Sequence, residues 1–101
     1  MESEAVTGLK ENACLDFGEF DFTSRSPERL MIRGRSRAEY NDIRLSFITE
    51  DGSEKRITLG FEGSQKYSEQ SFRIHGIKGR GTVSFVFLKD CDMDMMSFRF
   101  E

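Results

Sequence analysis

A chain of 101 residues, 37% hydrophobic and 33% charged, suits one soluble domain with a single core. A formal charge of −3 supplies no clustered positive field for phosphate backbones, which argues against nucleic acid as a main partner. No apolar run is long enough to span a membrane, and the opening MESEAVTGLKENA lacks the basic and hydrophobic regions of a signal peptide.

The polar opening, residues 1–12, reads as a linker, and residues 13–101 as one module, so the chain is expected to be a piece of something longer. Next comes LDFGEFDF, in which Leu15 and Phe17 are followed by Phe20 and Phe22. The apolar parity flips across Gly18-Glu19, as one extra residue in a strand would make it do, and glycine at the flip suits a bulge. After the turn TSRSP, RLMIRGR places Leu30 and Ile32 on one side, and DIRLSFI turns Ile43, Leu45 and Phe47 inward. Asp51-Gly52 is a strong hairpin signal, and RITLGFE returns with Ile57, Leu59 and Phe61. EGSQKYSEQ reads as a polar loop before SFRIH, and the glycine-rich GIKGRG reads as a turn, without the strand-to-helix context of a phosphate loop. TVSFVFL alternates Val83, Phe85 and Phe87, and MSFRF ends with Phe98 and Phe100 on one face.

No segment keeps a helical apolar period. About eight short strands with turns every eight to twelve residues predict an all-β fold, an antiparallel β-sandwich, with a closed barrel as the competitor. Ten phenylalanines and no tryptophan make the predicted core aromatic.

Arginines crowd the first half at Arg25, Arg29, Arg33, Arg35, Arg37 and Arg44, and Glu28, Glu39 and Asp42 stand among them, so they read as a solvated strand face. Asp90, Asp92, Asp94 and Glu101 reproduce the carboxylate spacing of an EF-hand loop, but Met95 stands where that loop needs glycine. The segment therefore reads as an approach to the last strand, with Asp94 kept as a candidate ligand in a looser calcium site. His75 has no nucleophile motif to work with and reads as a strand-end residue, so no catalytic constellation emerges. Cys14 and Cys91 match neither a disulfide framework nor a zinc spacing, so free thiols in a cytoplasmic setting are expected.

What remains is a surface site. Sugar-binding sandwiches set an aromatic ring against a pyranose and surround it with polar groups. Tyr67, in GSQKYSEQ beside Gln65 and Lys66, and Tyr40, in RAEYND beside Asn41, are the candidate platforms.

LDFGEFDF, RLMIRGRSR…NDIRLSF, FEGSQKYSEQSF and VSFVFLKDCDMDMMSFRF together resemble the galactose-binding-like jelly-roll modules at the C-terminal end of bacterial family 2 β-galactosidases, relatives of carbohydrate-binding module family 6. The resemblance runs from about residue 13 to the end. It implies a galactose-binding-like jelly roll serving as a non-catalytic accessory module, with galactosides or the parent glycoside hydrolase domains as partners. It puts Tyr67 roughly at the place of a stacking tryptophan, and the weak galactose-type binding expected there takes Lys66, Gln65 and Asn41 as candidate polar contacts. It also implies a structural calcium held by Asp94 with Glu19 or Asp21. The alternative is an interdomain or oligomerisation module of the parent enzyme that binds no sugar.

Overall fold

The computed structural model describes residues 6–101. Those residues form six strands: β1 (Val6–Lys10), β2 (Cys14–Phe22), β3 (Arg29–Thr49), β4 (Glu54–Arg73), β5 (Gly79–Phe87) and β6 (Asp92–Phe100). Every pairing is antiparallel, in the order β1–β6–β3–β5–β2, with β4 along the other side of β3.

The count of six, where the alternation suggests about eight, has a simple cause. β3 and β4 are 21 and 20 residues long, and each serves two layers. The first part of β3, Leu30–Ser36, pairs with β6, and the last, Ile43–Thr49, pairs with β5. β4 accompanies β3 from Arg29↔Arg73 to Ile48↔Glu54, closed by the Asp51-Gly52 turn. The sheet thus folds over itself, so that a β1–β6–β3–β4 layer faces a β2–β5–β3–β4 layer. This is an antiparallel jelly-roll sandwich, as expected.

Where the hairpin bends, the register slips twice. Between Gly34↔Ser68 and Ser36↔Ser64, β4 advances four residues against two of β3, and between Ser36↔Ser64 and Tyr40↔Glu62 the imbalance reverses. Such bulges aim side chains away from the ladder and sharpen a bend. The EGSQKYSEQ segment, read from sequence as a loop, is therefore bulged strand within β4. Gly34 marks the closest approach: a Cβ there would stand 2.6 Å from the backbone oxygen of Asp94 and 3.5 Å from the Phe61 ring.

Between the layers, Phe47, Phe61, Phe85, Phe87, Leu30, Ile32, Ile43, Leu45, Val83 and Met93 lose essentially all solvent contact. All but Met93 are residues that the period-two pattern turns inward. A second group closes the seam between β2 and β6. Phe17 lies 4.5 Å from Phe98 between ring centroids, Phe20 and Phe22 meet Phe100 at 5.5 and 5.1 Å, and Phe98 meets the edge of Phe85 at 5.1 Å. Edge-to-face pairs of this kind contribute about 0.5–1.5 kcal/mol each beyond their buried area. The parity flip in LDFGEFDF is the observed slip between Asp16 and Gly18, which keeps Leu15, Phe20 and Phe22 all on the core side.

Of the segment read as a linker, residues 1–5 lie outside the described residues, and Val6–Lys10 form a strand. β1 pairs with β6, yet of its five residues only Leu9 is buried, so it carries no apolar alternation to betray it. Cys14 is exposed, Cys91 is buried, and both are free thiols.

Candidate ligand site at the strand bend

The two opposed slips bring Arg35, Ser36 and Arg37 of β3 against Ser64 and Gln65 of β4, and together these line a cleft of about 380 Å³. An adjoining hollow of about 280 Å³ adds Ala38, Glu39 and Gly63. Behind them stands Asp94 of β6, opposite Arg35 in register and only 1% exposed. Four donors meet its carboxylate. Arg35 Nε donates to Oδ2 at 2.8 Å, Arg37 Nη2 to Oδ1 at 2.9 Å and Nη1 to Oδ2 at 3.2 Å. The Gly8 amide adds 2.9 Å, presented by a β1 bulge whose φ of 67° suits glycine. The Arg37 hydrogen bonds, against the opposing effect of burial and helped by Arg35 and Gly8, hold the Asp94 carboxyl well below the usual carboxylate range. Arg37 Nε also donates to Asp92 at 3.0 Å.

Arg35 differs from Arg37 in what it has left. Only its Nε is engaged in a hydrogen bond among the described residues, and its guanidinium carbon sits 4.7 Å from the Tyr67 ring centroid. Tyr67 is half-buried on β4, with this guanidinium over one face, so it supports Arg35 instead of standing open in a loop. Gln65 and Lys66 are exposed, and the side chains of both are without hydrogen-bond or ion-pair partners among the described residues.

Asn41 is a correction. It is fully buried: its Nδ2 donates to Ser36 Oγ at 2.6 Å and to the Phe61 carbonyl at 3.1 Å, while its Oδ1 accepts from the Asp92 amide at 2.9 Å. A side chain so used braces the bend from inside and has nothing to offer a ligand. Tyr40, 57% exposed, rests on Gly60, where a Cβ would stand 1.8 Å from the phenolic oxygen. It lines neither hollow of the bend.

The calcium ligands do not converge. Glu19 and Asp21 are on β2, where Arg80 approaches Asp21 at 3.2 Å, Glu50 at 3.9 Å and Glu19 at 4.0 Å. The Thr23 hydroxyl and amide, then Arg80, lower the Asp21 pKa to about 2. Calcium asks for six to eight oxygens, whereas the oxygens of Asp94 already face nitrogen donors, and no group of three or more metal-ligating side chains occurs among the described residues. The residues present do not fit the ion. Chelator and millimolar calcium are both expected to leave the melting temperature unchanged, since only a ligand of the native state would shift it; scanning calorimetry with each checks this.

Sequence reasoning missed Arg35 and Arg37 because it paired the arginines with acidic neighbours in the chain. Their real partners lie 59 and 57 residues away. The available signal was matched period two: Arg33, Arg35 and Arg37 on one strand, Asp92 and Asp94 on another.

No family model matches the chain, and no curated protein matches it in sequence. Solved structures do. A glycoside hydrolase family 43 arabinoxylan arabinofuranohydrolase from Bacillus subtilis, in complex with cellotetraose, matches at 21% identity and a TM-score of 0.80 over 97% of this chain, which spans only 21% of that one. A family 6 carbohydrate-binding module from Clostridium cellulolyticum, in complex with xylose, matches at 17% identity and a TM-score of 0.76, over 99% of this chain and 88% of the module. Another, from Clostridium stercorarium in complex with cellobiose, matches at 18% and 0.73, over 96% and 72%. At these identities the likeness is one of architecture, and the folded-over antiparallel sheet of this chain has the fold of the family 6 carbohydrate-binding modules.

Proposed function

We propose that the chain is a non-catalytic carbohydrate-binding module that takes a galactose-type sugar weakly at the strand bend, as an accessory domain of a β-galactosidase-type glycoside hydrolase. One observation carries the reading: the cleft offers polar groups the fold leaves unspent, namely Gln65 and the outer nitrogens of Arg35, around a Tyr67-supported guanidinium. The neighbours in fold whose structures contain xylose and cellobiose support it as a carbohydrate site. Hydroxyl-rich ligands are recognised by such convergent polar groups in a concave site.

Titration with galactose and lactose, and with xylose and cellobiose for comparison, is expected to move the amide resonances of Gln65, Lys66 and Tyr67 with dissociation constants of about 1 mM. Tyr67→Ala, which frees Arg35 from its support, should weaken binding about tenfold, the scale of one lost charged contact. Resonances that stay still with every sugar would end the reading. The rival, an interdomain module, draws on the arabinofuranohydrolase likeness, in which this fold makes up about a fifth of a longer chain. It expects no sugar response and direct association with the parent enzyme.

A further inference from the structure

We infer that the cleft at the bend is built for a saccharide bearing a carboxylate, a uronic-acid residue, and that Arg35 is the group that reads it. The inference rests on the carbohydrate-binding reading and adds the ligand class to it.

The geometry begins with how Arg35 is held. Its inner edge is tied to buried Asp94 through Nε, and its plane is stacked on Tyr67 at 4.7 Å. The outer nitrogens, Nη1 and Nη2, have no hydrogen-bond partner among the described residues, and the side chain is 43% exposed where it lines the cleft. A guanidinium fixed at one edge and one face leaves a two-nitrogen fork facing outward. That fork matches a carboxylate, which accepts two parallel hydrogen bonds from it, better than it matches a single hydroxyl. Because Asp94 and Tyr67 already hold the side chain, binding loses little rotamer freedom.

The charges nearby balance, Arg35 and Arg37 against Asp92 and Asp94, but both carboxylates are engaged by the arginines while the Arg35 fork is not. Glu39 lines the adjoining hollow with Ala38 and Gly63. Gln65 supplies an amide on the cleft wall for ring hydroxyls, and Ser64 directs its own hydroxyl to the Lys66 carbonyl, leaving that wall to Gln65. A neutral sugar would satisfy Gln65 but meet the fork with single hydroxyls only. A uronate would satisfy both.

The experiment is a pair of titrations, galacturonate against galactose, followed by NMR at low and at high salt. Galacturonate is expected to bind about tenfold tighter, with the advantage shrinking as salt screens the exposed fork. Arg35→Lys keeps a positive charge beside Asp94 but removes the fork, so it should abolish the preference by weakening galacturonate binding more than galactose binding. Equal affinities for the two sugars, or a preference that survives Arg35→Lys, would overturn the inference and leave carbohydrate binding standing. Failure of both sugars to bind would overturn the carbohydrate reading itself, and the inference with it. Should Arg35→Lys fail to fold, the Arg35 side-chain Nε resonance of the unmodified protein decides: a larger shift with galacturonate than with galactose supports the assignment, and an equal or absent shift overturns it.

Discussion

Asp94→Ala is expected to destabilise the protein by about 2–4 kcal/mol, which for a domain of this size lowers the melting temperature by about 10–25 °C. Removing one partner of a buried ion pair is costly because it strands the others. Here it leaves the Gly8 amide unpaired and two guanidiniums facing each other across an empty place. The figure is set below the full cost of a buried pair because Arg35 and Arg37 are about half exposed and can turn toward water. Asp94→Asn separates shape from charge: it should recover packing and still lose most of the pairing.

The same residue sets the acid limit. Its folded pKa lies below the unfolded value near 4, so its contribution is complete above that value and is lost as pH falls toward the folded one. Melting temperature should be level between about pH 5 and 8 and fall below about pH 4. Asp94→Asn should flatten that fall, leaving the smaller slopes from Asp21, Asp51 and Glu54, whose carboxyls are lowered in the same direction. An equally steep fall in the variant would show that the acid limit is set elsewhere.

Phe85→Ala is the other large effect, about 3–5 kcal/mol, as usual when a fully buried ring leaves a cavity. Phe85 belongs to the core, has no exposed surface, and also meets the seam, with Phe17 at 5.5 Å and Phe98 at 5.1 Å between centroids. Its loss therefore opens the core and loosens the β2–β6 seam together. Against a total stability of about 5–15 kcal/mol, this places the variant at the edge of folding. Phe85→Leu should recover part of the loss, and urea unfolding of the pair measures it. By contrast Phe17, 37% exposed at the rim of the same seam, should cost far less when truncated.

The interior of this sandwich was legible because strands that bury one face repeat every second residue, and Ile43, Leu45, Phe47, Val83, Phe85 and Phe87 do so without interruption. The bulge in LDFGEFDF was legible for the same reason, as a break in that rhythm, although it falls at Phe17 and not across Gly18-Glu19. The bend was not. Across residues 62–70, only Tyr67, Ser64, Ser68 and Gln70 are even half-buried, so strand and loop look alike. Asn41 looked like a surface residue because asparagine usually is one. Its burial depends on Ser36, Phe61 and Asp92 arriving from three places, a fact of tertiary structure with no local trace. The Arg35–Asp94–Arg37 cluster was hidden likewise, since alternating arginines mean little until the strand beside them is known.

The pairing order also bears on how the chain acquires its shape. Zipping β3 onto β4 needs only the turn at 49–54, but β1 must await β6 and β2 must await β5, so the segments a ribosome releases first find their neighbours last. Such distant closures are slow, and the waiting phenylalanines of β2 are then open to wrong contacts. Permuting the gene so that β1 and β2 are translated after β6 would bring β2 out after β5, and it should raise the yield of correctly folded product more than any change within the β3–β4 ladder.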